Sequence, residues 1–169
     1  MGTERLDSEE YSGREQDDSF APFATTWHWR GGALAGLVAT LVMGVVITLT
    51  NQRVLQEAIA GLYGQSGNLL IGWVAHLVHG VLFGVLFAAI LTDPSLYRVT
   101  ERLHVSVLAG VVFGLVLAVV GAGIIMPMWL DVVAPELAVP IPNVTVPLLV
   151  WHLLYGVVLG GVFPYLEDL

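Results

Sequence analysis

The sequence predicts an all-α membrane protein: a four-transmembrane-helix bundle built from a duplicated two-helix repeat, with helices 1–2 and 3–4 in parallel orientation. Three observations predict it: a strongly apolar composition, four long stretches without charge, and a motif that recurs in the second half of the chain. The 169 residues are 56% hydrophobic and only 12% charged, against roughly 25% charged residues in an ordinary soluble domain. A chain this short cannot hide so much apolar surface in one globular core, and the bilayer is the natural place for the excess. There is no cysteine, which excludes disulfides and thiolate metal sites.

Residues 1–28 read as a disordered, acidic, cytoplasmic tail, and residues 29–166 as the membrane domain. Half of the fourteen acids are Glu4, Asp7, Glu9, Glu10, Glu15, Asp17 and Asp18. That stretch has no apolar periodicity. It is not a signal peptide, which would be basic and then apolar. All six cations are arginine, and the net charge is −8. Acid excess without lysine points to a salt-adapted source such as a haloarchaeon; a generic acidic tail is the alternative.

A spanning helix needs about 20 mostly apolar residues. Residues 31–50, 68–91, 103–129 and 144–165 qualify, and none of these stretches contains Asp, Glu, Lys or Arg. Backbone groups in lipid must be satisfied within the segment, and the alternation of a membrane strand is missing, so helices are expected. Between the first two spans, Val54, Leu55, Ala58, Ile59 and Leu62 recur at helical spacing among polar residues. This amphipathic segment either lies on the interface or extends helix 1. After the third span, Pro135, Pro140 and Pro142 exclude a regular helix throughout 131–143.

Arg30, Arg98 and Arg102 flank the spans on one side, with Arg5 and Arg14 in the tail, whereas Arg53 stands alone on the other. The positive-inside rule then puts both termini and the middle loop in the cytoplasm of a multi-pass plasma-membrane protein. Trp29 and Tyr97 mark the inner interface; Tyr63, Trp73 and Trp129 mark the outer one. Asn143-Val144-Thr145 is a glycosylation sequon, a triplet common by chance.

The repeat pairs Leu34–Val38 with Leu108–Val112 at an offset of 74, and His76–Gly84 with His152–Gly160 at an offset of 76. The shared H-x-x-[HY]-G-x-x-x-G pattern carries more weight than the Val and Leu matches. Two spans per repeat imply a pseudo-two-fold axis along the membrane normal. His76 and His152 each lie eight residues into their spans, about 12 Å below the outer end. Gly36, Gly80, Gly84, Gly110, Gly114, Gly156 and Gly160, together with Gly32, form small-xxx-small pairs that let helices approach closely.

The intramembrane polar cluster is His76, His79 and His152, with Tyr155 as neighbour, and these are the candidate site residues. His76 and His79 share a helix face at i, i+3. One reading is structural, with each histidine donating to a carbonyl or to Tyr155. A second is cofactor binding: His76 and His152 as axial ligands of a b-type haem, or His76, His79 and His152 on one transition-metal ion. A third is transport or proton relay, or the role of an accessory membrane subunit, because histidine titrates near neutrality. The expected partners are the lipid bilayer and a homo-oligomer or larger membrane complex. Basic residues are too few for nucleic acid. The P-loop, H-E-x-x-H and G-x-S-x-G patterns are missing, so the enzyme reading is disfavoured and no catalytic residue is assigned.

The segments W-V-A-H-L-V-H-G at Trp73–Gly80 and W-H-L-L-Y-G-V-V-L-G at Trp151–Gly160, on a short acidic four-span chain, resemble a family of small haloarchaeal membrane proteins of unknown function. The resemblance covers roughly Trp29 to Leu166. Members are sometimes labelled histidine kinases. This sequence supports no such label, having neither a long cytoplasmic domain nor a glycine-rich nucleotide box. The resemblance implies fold and location, and no activity.

Overall fold

The computed structural model describes residues 28–93, 95–96, 98–167 and 169, and every regular element among them is helical. The expected tail therefore lies almost entirely outside the described residues. Four helices are long and apolar enough to cross a membrane: α1 (Trp29–Asn51), α2 (Leu69–Leu91), α3 (Leu103–Val133) and α4 (Val146–Tyr165). Even α4, with 20 residues, reaches about 30 Å at 1.5 Å per residue, the thickness of a bilayer's hydrocarbon core.

The ends of these helices follow local chemistry. The Asn68 side chain accepts a hydrogen bond from the Ile71 amide (3.2 Å) and caps α2. Thr145 does the same for Leu148 (3.4 Å) at the start of α4. Both residues fall inside the spans expected from the sequence; they stand just before the helices because their oxygens replace missing intrahelical acceptors.

Beyond Asn51 the chain stays helical. Gln52 and Arg53 keep right-handed dihedrals, and Val54–Ile59 is π-helical. Of the two expectations for this segment, the extension of helix 1 is the one formed. Leu55, Ile59 and Ala60 are buried, and the Leu55 carbonyl lies against Gly72 at the start of α2. The return turn uses Gly64 and Gly67 at φ +66° and +91°, a region open to glycine at little cost.

Helix α3 is composite: α-helical over Leu103–Val116, π-helical over Leu117–Ile125, and α-helical again over Met126–Val133. Pro127 cannot donate to the carbonyl four residues back, that of Gly123. The Asn143 amide donates to that carbonyl instead, at 2.8 Å. The wider turn and the borrowed donor let the helix pass a proline without orphaning its backbone. It runs four residues past the expected end at 129, because the first residue forced out of helical dihedrals is Ala134, directly before Pro135.

Helix α1 packs along α2, α3 along α4, and the two pairs meet through α1 and α4. Glycines set the spacing within each pair. A Cβ on Gly36 would collide with the Gly80 carbonyl and stand 2.9 Å from the Gly84 Cα; one on Gly84 would strike the Gly32 carbonyl. In the other pair, a Cβ on Gly110 would collide with the Gly156 carbonyl and stand 2.9 Å from the Gly160 Cα; one on Gly160 would strike the Ser106 carbonyl. Gly114 and Gly156 are equally closed, by the His152 and Gly110 carbonyls. Phe87 of α2 joins the pairs at one end, its ring 5.4 Å from Phe113 of α3 and 5.5 Å from Phe163 of α4. The outward faces stay apolar: Leu70, Val74, Val78, Leu82 and Leu86 on α2, and Leu108 and Val112 on α3, are all exposed.

Candidate functional site

Gly80 is the meeting point of the polar side chains. Because it has no side chain, Thr40 of α1 fits directly against it; an added Cβ would land on the threonine. From α4, the Tyr155 hydroxyl donates a hydrogen bond to the Gly80 carbonyl at 3.0 Å. His76, one turn earlier on α2, lies against the Thr40 main chain and is 6% exposed. Its ring meets Trp73 edge-on at 6.2 Å. Two atoms here, His76 Nε2 and Thr40 Oγ1, are buried without a hydrogen-bond partner, and groups so placed are costly in a low-dielectric interior.

The other two histidines have hydrogen-bond partners of their own. His79 Nε2 is hydrogen-bonded to the Tyr63 hydroxyl at 2.6 Å, with the two rings stacked. It thereby fastens α2 to the turn after the π-helical segment. His152 Nδ1–H donates to the Leu148 carbonyl of its own helix at 2.9 Å. Of the four residues singled out from the sequence, His76 and Tyr155 converge around Gly80, while His79 and His152 are engaged with local partners.

This placement bears on the cofactor expectations. Among the described residues, no three of His, Cys, Asp or Glu are grouped to hold a metal ion, so the three-imidazole set does not form. The surroundings of His76 do not fit a haem slot either. At Gly44 an added Cβ would stand 2.6 Å from the Trp73 ring and 3.1 Å from His76 Cδ2, so helix α1 closes over the imidazole.

Two contributors escaped the sequence reading. Thr40 is the one polar side chain between Arg30 and Thr48, and that isolation was its signal. Ser106 is fully buried and donates to the Gly160 carbonyl at 2.7 Å. It stands 74 residues after Gly32, the offset of the first motif, and both residues pack against the glycine pattern of the facing helix.

Outside the spans, the α2–α3 loop holds a small electrostatic network. The Ser95 hydroxyl (2.6 Å) and amide (2.8 Å) both donate to the Asp93 carboxylate, and these bonds hold it below its ordinary value. Arg98 pairs with Glu101 at 3.3 Å. At the same end, the Arg30 guanidinium lies 5.5 Å above the Trp29 ring centroid.

Four helices long and apolar enough to cross a membrane define the class: a small helical protein with the dimensions of a multi-pass membrane protein. Residues 28–169 match the model of a family of unknown function, DUF6789, and the chain belongs to that family. No curated protein and no solved structure matches the chain.

Proposed function

We propose that this chain is a multi-pass protein of the plasma membrane with both termini in the cytoplasm, acting as an accessory subunit that associates with itself or with a larger membrane complex. The observation that carries this reading is how the intramembrane polar groups are used. Tyr155 and Ser106 bond to carbonyls of facing helices, and His152 bonds to its own. The two bonds between helices, from Tyr155 and Ser106, fix helix register, and a polar group spent on a carbonyl is withdrawn from a solute path. The surface left over is a broad apolar face on every span, suited to lipid and to other helices.

Arginine placement supports the orientation. The glycine contacts of the two pairs, related by the offsets 74 and 76, support descent of the fold from a duplicated helix pair in parallel orientation. Acid excess without lysine supports a salt-adapted source. The test is extraction of the full chain from its membranes into native-lipid discs, followed by mass measurement. A particle holding two or more copies, or a stoichiometric second protein, agrees with the reading. A solitary chain at every protein concentration contradicts it.

One observation favours a second reading. Thr40 Oγ1, against Gly80, and His76 Nε2, one turn earlier on α2, are both buried and unpartnered, which suits a proton-exchanging step in this region. Proton movement across a reconstituted membrane that disappears in His76→Ala would favour this reading over the first.

A further inference from the structure

Helices α2 and α3 are joined by a loop whose last residues carry two arginines. Arg98, Glu101, Arg102 and Val105 line an open hollow of about 280 Å³, close to the lower end of the ~300–1,000 Å³ range of small-molecule sites. The Glu101 carboxylate is engaged by Arg98 at 3.3 Å. Arg102 makes no ion pair among the described residues, and the lining carries two guanidinium groups against one carboxylate. A guanidinium presents planar paired donors that match the oxygens of a phosphate. Arg102 is also the residue before the first turn of α3, which contains no acid, so the end of the helix dipole adds to the attraction.

One of the four lining residues is apolar. Val105 belongs to α3, and below it Leu108 (62% exposed) and Val112 (55%) continue an uncovered ridge along the span. A charged hollow opening onto an exposed apolar ridge has the division of a phospholipid: a phosphate above, an acyl chain below.

We propose that this hollow is a binding site for a phosphate group, and that the phosphate is carried by the headgroup of an anionic membrane lipid. The site lies apart from the Gly80 cluster and goes beyond the accessory-subunit reading. Its lipid source rests on the membrane placement in that reading.

The experiment uses the full chain in mild detergent and counts bound dioleoyl phosphatidylglycerol and dioleoyl phosphatidylcholine by native mass spectrometry. Inorganic phosphate serves as competitor, and flotation with vesicles of the same lipids is run in parallel. The expected result is a preference for phosphatidylglycerol that falls roughly five-fold in Arg102→Gln and is unchanged in Arg53→Gln, the arginine at the opposite end. No preference, or an equal fall in both variants, overturns the site. Inorganic phosphate retained in place of the lipid when the two are at equal concentration assigns the hollow to free phosphate and overturns the lipid source. A chain that does not float with vesicles removes the membrane placement as well, whereas one that floats without a preference removes the lipid site alone.

Discussion

The Tyr155 hydroxyl reaches from α4 to the carbonyl of Gly80 on α2, 3.0 Å away, although α2 and α4 belong to different helix pairs. The acceptor residue is also the one that lets α1 approach. Gly80 lets Thr40 of α1 pack flat against α2, and the close approach of α1 brings α4 within reach. Tyr155→Phe keeps the ring and removes the donor. It should cost about 0.6 to 2 kcal/mol, the range for hydrogen bonds between membrane helices, read as a lower midpoint in detergent-induced unfolding. An unchanged midpoint would mean that the bond contributes nothing.

Gly84→Ala places a methyl group against the Gly32 carbonyl, and backbone cannot yield as a side-chain tip can. The predicted loss is roughly 1–3 kcal/mol. Gly121→Ala is the matched control, because nothing lies within 4 Å of its added Cβ. Equal midpoints for the two variants would contradict the close packing of α1 on α2.

Topology is directly addressable because the chain has no cysteine. Ser95 and Ser66 are exposed in turns at opposite ends of α2. With both termini in the cytoplasm, a membrane-impermeant thiol reagent added outside should label Ser66→Cys and spare Ser95→Cys until the membrane is opened. The reverse pattern would invert the orientation.

The Asp93 carboxyl is held below its ordinary value, chiefly by the Ser95 hydroxyl and then by the Ser95 amide. A carboxyl depressed in the folded state contributes stability above the ordinary carboxylate range and loses it as pH falls through the folded value. Ser95→Ala removes the larger cause. The Asp93 titration, followed by carbon-13 NMR of the carboxyl, should move up toward the ordinary value while the helices stay folded. A titration that does not move would remove the hydroxyl as the cause.

The helices were legible in the sequence because their signal is long and redundant: some 20 apolar residues without charge leave few alternatives. The ends were less so. Asn68 and Thr145 look like span residues until their side chains are seen capping, and the run of α3 through Pro127 depends on Asn143, 16 residues away, satisfying the Gly123 carbonyl. At the candidate site, histidine and tyrosine stood out by residue type. Thr40 and Ser106 did not: apart from Thr40's isolation in its span, a small hydroxyl acquires meaning from the glycine it packs against. The different partners of His79 and His76 were equally hidden. Spacing of i, i+3 puts two side chains on one broad face, and the Tyr63 hydroxyl, met across the turn at Gly64 and Gly67, gives His79 a partner that His76 does not share.

The central claim is that the polar groups inside the spans hold helices together and do not conduct. Proton flux in proteoliposomes tests it most directly, with a pH-sensitive dye inside and a potassium diffusion potential as driving force, comparing the natural chain with His76→Ala and Thr40→Ala. The account predicts flux no greater than in protein-free vesicles for all three, with the variants changed in stability alone. Flux in the natural chain that either substitution abolishes, while the protein stays folded, would contradict it and make the unpartnered His76 and Thr40 groups a working proton site.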